Sequence, residues 1–289
     1  MPVSLRNIVR LGDTSAYEPA PGKIVSIGLM PDGFLFALLD QKKFCYIALE
    51  EYRLEQEEDG ETALISLMDE WLQQHPLSAI PFEQVHVSYF SPRLVLIPGG
   101  LFVAGNEETY YTFCSEKPPD TQLVKDHLNV LSAFGLYAVP DSIIKFLNSN
   151  FRNYRLKHSG SNFIESVLAA QRIESWQADI IINIKNSFIE LLLFTKQQLQ
   201  YYKSFYRKNF DDVLYYLFLV MEQSGRDASK QQLLIVGELA MDTPEFEMLS
   251  KFFPNPGFVR RNDAFLYSGD FDTIPAHYYY NLLNLVSCG

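Results

Sequence analysis

A glycine pair in the first half of the chain has the composition of a phosphate-binding loop. Pro98-Gly99-Gly100 offers residues without side chains, which let a phosphate approach backbone N–H groups closely. No Lys-Ser/Thr pair follows, however, so the motif lacks the residues that a P-loop uses to hold phosphate and Mg²⁺. We therefore interpret it as a hairpin turn between strands over 94–97 and 101–103.

A second motif places an imidazole beside two hydroxyl groups, the parts of a serine nucleophile and its base. In His158-Ser159-Gly160-Ser161 these groups are neighbours in sequence, whereas a triad needs groups that converge in space. Ser159 or Ser161 is better explained as a helix N-cap. The histidines show no HxxxH spacing, so we expect no metal site. They are His75, His86, His127, His158 and His277.

The composition describes a folded and acidic protein. Its 289 residues are 47% hydrophobic, enough to form a core, so a disordered chain is excluded. With 24 Lys+Arg against 35 Asp+Glu the net charge is −11, which disfavours binding to nucleic acid or to anionic lipid. At about 150 residues per domain, the length indicates about two domains.

The cysteines and the apolar segments indicate a compartment. Cys45, Cys114 and Cys288 are far apart and form no CxxC pair, so neither a zinc ribbon nor a disulfide framework is expected. No apolar region follows the basic residues of positions 1–10, which argues against a signal peptide. No stretch approaches the ~18 apolar residues of a spanning helix. We expect a cytoplasmic protein without an integral membrane segment.

Three consecutive strands begin the first half. They are predicted over 23–30, 33–40 and 43–50, and Pro31-Asp32-Gly33 forms the first turn. The acidic run over 50–61 is interpreted as a solvated loop. Further along, the pattern predicts a helix over 62–74, strands over 84–89, 93–97 and 130–139, a helix capped by Asp141, a strand over 154–157 and a helix over 161–170.

The second half repeats this order. Strands are predicted over 178–184, 188–195 and 198–206, then a helix that starts at Asp211 or Asp212, a strand over 231–236 and a helix from Pro244 capped by Thr243. Ile27-Gly28-Leu29-Met30 aligns with Ile182-Asn183-Ile184-Lys185. The strands are apolar where a ribonuclease-H-type nuclease needs carboxylates, so that activity is not expected.

The order predicts an α/β protein of two lobes, 1–172 and 173–289, each a βββ meander followed by alternating helices and strands. This order resembles the actin-like ATPase superfamily, whose two ribonuclease-H-like lobes enclose an interlobe cleft for a nucleotide. It is similar to bacterial members such as the type IV pilus assembly actin-like protein and FtsA, and to an uncharacterised Bacteroidota family with this fold.

The resemblance also identifies positions for a nucleotide. Active members carry an Asp-x-Gly in each meander for Mg²⁺ and phosphate, and Gly28 with Met30, and Asn183 with Lys185, occupy these positions here. Their adenosine loop has a Gly-Gly, which is matched by Gly237-Glu238.

Each of these positions departs from the family pattern. Gly28 and Asn183 supply no negative charge for Mg²⁺, and Glu238 places a carboxylate where the nucleotide would lie. The resemblance therefore implies a protein that does not hydrolyse ATP and holds no cofactor. Any residual nucleotide site would use the following residues: Gly28, Asp32, Gly33, Asn183, Lys185, Gly237 and Glu238.

Two of these side chains have alternative interpretations. Asp32 could replace the missing carboxylate, or it could be a plain turn residue. Lys185 could pair with an anion, or it could be a solvated hairpin lysine.

Tyrosine pairs and a triplet, Tyr278-Tyr279-Tyr280, suit either packing or a partner surface. The favoured hypothesis is a non-catalytic module for protein interaction or self-association. The alternative is a divergent ATPase that binds ATP with Mg²⁺.

Overall fold

The computed structural model describes residues 5–12, 14–18, 21–54, 60–79, 82, 84–174 and 178–288. These residues form strands and α-helices, so the predicted α/β class is confirmed. The strands are β1 (Leu5–Leu11), β2 (Lys23–Met30), β3 (Gly33–Asp40), β4 (Cys45–Leu54), β5 (Gln84–Tyr89), β6 (Val95–Pro98), β7 (Thr121–Leu128), β8 (Ala133–Pro140), β9 (Tyr154–His158), β10 (Ile180–Ile184), β11 (Phe188–Thr195), β12 (Gln198–Tyr206), β13 (Leu233–Gly237), β14 (Gly257–Phe258) and β15 (Leu266–Tyr267). The helices are α1 (Gly60–Gln74), α2 (Glu107–Cys114), α3 (Asp141–Asn150), α4 (Ser159–Glu174), α5 (Phe210–Gln223), α6 (Pro244–Ser250) and α7 (Tyr280–Leu283).

The chain packs into two compact units, each made of more than one segment. Unit 1 comprises Met1–Glu165, Asp263–Thr273 and Asn281–Gly289, and unit 2 comprises Ser166–Asn262 and Ile274–Tyr280. The predicted division into lobes 1–172 and 173–289 stays a prediction, because the packing units need not have the same boundaries as the repeats in the sequence.

The main sheet of unit 1 has the strand order β1-β4-β3-β2-β5-β9, and β15 pairs with β4. Strands β2, β3 and β4 run antiparallel, as the turn residues between them predict. Strand β5 then lies parallel to β2, and β9 parallel to β5. The βββ meander is therefore followed by parallel strands reached through crossovers.

The sheet of unit 2 repeats this design, with the order β12-β11-β10-β13-β14. Its first three strands are antiparallel, and β13 and β14 are added in parallel. The repeat that the hydrophobic pattern predicts is thus a repeat of sheet topology.

Apolar side chains on both faces of the central strands form the core of each unit. Every residue of β2 is buried, and Val25 and Ile27 pack in one cluster with Leu64 of α1. In unit 2 every residue of β10 is buried, and Ile182 packs in one cluster with Leu217 of α5. Continuous apolar strands of this kind are typical of sheets covered on both faces.

A small third sheet, β6-β8-β7, lies within unit 1 and carries α2. Its core contains Tyr111 of α2 with Leu136 and Ala138 of β8. The sequence pattern did not predict β7, because the polar run Lys125-Asp126-His127 interrupts its alternation.

The interpretation of the acidic run over 50–61 as a solvated loop is wrong for its first part. Strand β4 continues to Leu54, and Glu50 and Glu51 are 0% and 1% exposed. Helix α1 begins at Gly60, and residues 55–59 lie outside the described residues. The charges are accommodated because side chains distant in sequence pair with them, as shown below for Glu50.

Three local predictions also need correction. Pro98 ends β6, and a 3₁₀ turn over Gly99–Leu101 follows, so the segment 101–103 is not the second strand of a hairpin. Asp141 is the first residue of α3 rather than its cap, and Ser159 is the first residue of α4, with Ser161 inside it.

In unit 2, helix α5 begins at Phe210, one residue before the predicted start at Asp211, and Asn209 caps it. The side chain of Asn209 accepts the backbone N–H of Asp212. An amide oxygen satisfies a free N–H of the first turn as well as a carboxylate does. The cap by Thr243 on a helix from Pro244 is confirmed.

Candidate functional site

The first predicted phosphate position lies inside the apolar packing of unit 1. A Cβ on Gly28 would lie 3.4 Å from Cβ of Leu35 and 3.6 Å from Cδ1 of Leu282. Met30, at the end of the same strand, is 8% exposed. An ionised carboxylate at position 28 would therefore be removed from water among aliphatic groups, which is strongly unfavourable.

The turn residues of the same hairpin are tied into the sheet. Asp32 is only 5% exposed, and its carbonyl accepts the N–H of Leu54 at 2.9 Å. A Cβ on Gly33 would overlap the carbonyl oxygen of Tyr52, so glycine is needed for β3 to approach β4.

The second hairpin buries its lysine. Lys185 is 4% exposed, which corrects its interpretation as a solvated hairpin residue. Its Nζ lies 3.3 Å from Oε1 of Glu238 and 3.3 Å from the carbonyl oxygen of Tyr278. The same nitrogen lies 5.3 Å from the centroid of the Tyr279 ring. Lys185 thus pairs with an anion, and that anion is a carboxylate of this chain.

The neighbouring Asn183 is engaged in a buried network of its own. Its Nδ2 donates to Oε2 of Glu190 at 2.8 Å, and the hydroxyl of Tyr202 donates to the other carboxylate oxygen at 3.0 Å. Burial, with the Glu190 carboxylate nearby, raises the pKa of Tyr202 well above its usual value. The position that the resemblance assigns to a metal-binding carboxylate therefore holds a neutral amide bonded to a glutamate.

Gly237 brings this group of residues together. Its φ of +90° is one that residues with a Cβ avoid, and a Cβ there would overlap the carbonyl oxygen of Ile184 and lie 2.7 Å from Oδ1 of Asn183. The next residue, Glu238, donates its N–H to Ile184 at 2.6 Å. Because of this close approach, the Glu238 side chain reaches Lys185.

The predicted residues therefore form two groups, one in each unit. Gly28, Asp32 and Gly33 share one hairpin of unit 1. The four residues of unit 2, Asn183, Lys185, Gly237 and Glu238, meet where β10 and β13 end side by side.

A buried carboxylate in β4 is a feature that the sequence did not reveal. Glu50 accepts hydrogen bonds from the hydroxyls of Tyr17 and Tyr52, and its Oε1 lies 3.2 Å from Nε2 of His75. Burial alone would raise the pKa of Glu50, but the hydrogen bonds from His75, Tyr17 and Tyr52 outweigh burial and lower it. This cluster holds a charge in place inside the sheet.

The His158 motif is also structural. Asp126 accepts the backbone N–H of His158 at 2.9 Å and the hydroxyl of Tyr137 at 3.1 Å. His158 Nδ1 accepts the N–H of Gly160, and Nε2 bonds the carbonyl of Ser91 at 2.9 Å. Burial raises the pKa of Asp126 to about 6 and lowers the pKa of His158 to about 4. Both imidazole nitrogens of His158 thus form hydrogen bonds with backbone groups.

The doubled sheet topology is that of the actin-like ATPase fold, and comparison with solved structures bears this out. A Bacteroides thetaiotaomicron protein with an actin-like ATPase fold and unknown function superimposes with a TM-score of 0.73 and 18% identity, over 93% of this chain and 96% of that one. The PilM–PilN type IV pilus biogenesis complex matches with a TM-score of 0.59 and 11% identity, over 91% and 97%. At these identities the likeness shows the fold alone.

The chain belongs to the family DUF3822, whose description is a protein of unknown function and which matches residues 14–255. No curated protein matches the chain. In the part of the chain that the structure describes, no helix combines the length and the apolar character needed to cross a membrane.

Proposed function

We propose that this chain is a non-catalytic actin-like module that binds a protein partner or a second copy of itself. The observation that supports this most is the ion pair between Lys185 and Glu238. It occupies the hairpin and loop positions where active relatives contact phosphate and adenosine. A nucleotide there would have to displace an internal partner of a buried ammonium group.

The residues present do not fit a magnesium-bound triphosphate. Mg²⁺ is held by carboxylate and water oxygens. Asn183 offers a neutral amide whose nitrogen bonds Glu190, and position 28 is enclosed by Leu35 and Leu282. We therefore assign no hydrolytic step to this chain.

An exposed apolar patch supports a role in protein binding. Leu101, Val103 and Phe113, which we call the 101–113 patch, are 68%, 57% and 91% exposed. The hydroxyl of Tyr110 donates to the carbonyl of Leu101 at 2.7 Å and accepts the N–H of Val103 at 3.0 Å. Phe113 follows Tyr110 by three residues, the spacing that places helical residues on one face. Large exposed apolar groups held in place are typical of interaction surfaces.

Two further observations agree with this proposal. One neighbour in fold is, by its name, a complex of two proteins of pilus biogenesis. No disulfide joins Cys45, Cys114 and Cys288, which all lie in described segments, and this agrees with a reducing compartment. The location that we propose is the cytoplasm.

Calorimetric titration with ATP and with ADP, each with and without Mg²⁺, tests the non-catalytic assignment. We expect no binding at micromolar concentrations and no phosphate release. Micromolar binding with Mg²⁺-dependent turnover would instead establish the divergent ATPase. In that case Asp32→Ala and Lys185→Ala should both weaken the binding of ATP.

The 101–113 patch is tested by Phe113→Asp, with Thr112→Asp as a matched control that adds the same charge one residue away. Self-association is measured by sedimentation, and partner binding by comparing what the two variants retain from a cell extract. We expect Phe113→Asp alone to lose the association. Equal behaviour of both variants and the natural protein would remove the patch from the proposal.

A further inference from the structure

A cavity of 350 Å³ lies in unit 1 between two edge strands. Strand β9 is the last strand of the main sheet, and β7 is an outer strand of the small sheet. Lys125 and Asp126 contribute from β7, Arg155 and Lys157 from β9, and His86 from β5. The volume suits a small ligand or one group of a larger ligand.

Among the residues of this lining that the structure describes, cationic side chains outnumber anionic ones. Lys125 pairs with Glu107 at 3.2 Å, in a contact that is open to solvent. Lys157 pairs with Glu165 and donates to the carbonyl of Cys288 at 2.9 Å. Among the residues that the structure describes, none forms a hydrogen bond or ion pair with the guanidinium of Arg155. Arg155 therefore leaves five N–H donors available for a ligand.

A buried nitrogen in the lining also lacks a partner. His86 is 3% exposed, and its Nε2 has no hydrogen-bond partner in the described part of the chain. Val85 and Val87, its neighbours in β5, pack in the core cluster, so His86 lies on the opposite face of the strand. A buried polar atom left without a partner calls for an explanation, and a bound ligand is one.

Asp126, the one carboxylate among the described residues of the lining, already has hydrogen-bond donors. Asp126 accepts the N–H of His158 and the hydroxyl of Tyr137. Both carboxylate oxygens of Asp126 therefore accept hydrogen bonds from groups inside the protein. Burial, and after it the positive charges of Arg155 and Lys157 on β9, lower the pKa of His86 to about 4.

We propose that this cavity binds a small oxyanion, a phosphate or carboxylate group, which Arg155 and Lys125 hold while Nε2–H of His86 donates a further hydrogen bond. Arginine pairs with either group through two parallel hydrogen bonds. A neutral imidazole can donate from Nε2 when the ring proton is there. The inference goes beyond the proposed function and does not depend on it, since all its residues belong to unit 1, whereas Lys185 and Glu238 belong to unit 2.

The test is a titration of the full chain with inorganic phosphate and, separately, with acetate at low ionic strength, followed by calorimetry and by NMR of the His86 ring. Arg155→Gln should weaken binding by about tenfold or more, because a charge-assisted pair of bonds is lost. His86→Phe, which keeps the charge of the cavity, should weaken it by a smaller factor. The matched control is Arg152→Gln, at an exposed arginine three residues before Arg155.

Each outcome of these titrations either supports or contradicts the proposed anion site. Saturable binding of phosphate but not acetate supports a phosphorylated ligand, and competition by acetate supports a carboxylate ligand. Binding should also raise the pKa of His86, because the anion offsets Arg155 and Lys157. Absence of binding by both anions, or an equal loss in Arg155→Gln and Arg152→Gln, would overturn the inference. Neither result bears on ATP binding, so failure here is distinct from failure of the proposed function.

Discussion

The ammonium nitrogen of Lys185 lies 3.3 Å from Oε1 of Glu238, and their side chains are only 5% and 15% exposed. The two residues are distant in sequence and belong to the ends of neighbouring parallel strands. Both residues stand at positions that the resemblance to actin-like ATPases assigns to nucleotide contacts, and in this chain they contact each other.

We predict that Lys185→Met and Glu238→Gln are strongly coupled. Either change alone leaves a shielded charge without its partner, so the double variant should recover part of the lost stability. A double-mutant cycle by chemical denaturation should give a coupling free energy of about 1–3 kcal/mol. The exposed pair Lys230–Asp227 is the control, and we expect little coupling there. Additive effects at Lys185 and Glu238 would show that the pair is not a unit.

Gly237→Ala should destabilise the protein by at least about 3 kcal/mol, because the added Cβ meets backbone as well as requiring an unfavourable φ. Gly225→Ala is the matched control, since Gly225 has a φ of +66° but nothing within 4 Å of the added atom. The control should cost about 1 kcal/mol. Thermal or denaturant unfolding measures both, and similar losses would contradict the close approach at Gly237.

Glu50→Gln should lower the free energy of unfolding at neutral pH by roughly 3 kcal/mol, because a buried carboxylate loses its charge-assisted bonds. Since the pKa of Glu50 is lowered by folding, its contribution is present above the unfolded value of about 4.3 and is lost as the pH falls through the folded value.

The difference in the free energy of unfolding between Glu50→Gln and the natural protein should therefore become smaller as the pH falls. Glu70→Gln, on the exposed face of α1, is the control and should have little effect at any pH. A difference that stays constant down to pH 3 would contradict the role of the Glu50 charge.

Asp126 should produce the opposite pH dependence. Burial raises the pKa of Asp126 to about 6, so its contribution to stability is greatest below the unfolded value and is lost as the pH rises through 6. On acidification from pH 7 to 4 the natural protein should gain about 2 kcal/mol relative to Asp126→Asn.

The same histidines are present in both proteins, so we expect their contributions to cancel in this comparison. Asp263→Asn, at an exposed position, controls for surface charge. Parallel stability curves for the natural protein and Asp126→Asn would show that Asp126 is not desolvated.

The sequence predicted the two meanders well because their strands carry strong local signals. The bounds of β2 and β3 agree with the prediction, since apolar runs are separated there by Pro31-Asp32-Gly33. The bounds of β11 and β12 agree as well. Hydrophobic runs and turn residues act over a few positions, so sequence patterns report them directly.

The buried charges could not be predicted in this way. Glu50 begins an acidic run that looks solvated, and only Tyr17 and His75, distant in sequence, make its burial favourable. Asp126 likewise depends on the backbone of His158. Such groups are stable inside a protein only when the fold brings donors to them.

For the candidate site, the sequence predicted which residues belong to it but not how they contact each other. Lys185 and Glu238 were both predicted as site residues, whereas the ion pair between them was not. It depends on the register that places Ile184 beside Gly237 in the parallel strands. A register between strands separated by two further strands and a helix is a property of the tertiary structure.

The strand β15, which pairs with β4 in unit 1, comes from a segment that follows almost all of unit 2 in the chain. During translation, residues 166–262 are therefore synthesised before the two later segments of unit 1, Asp263–Thr273 and Asn281–Gly289. Neither unit is encoded by one continuous stretch of the gene. A truncation after residue 165 would remove β15 and leave β4 without this partner strand.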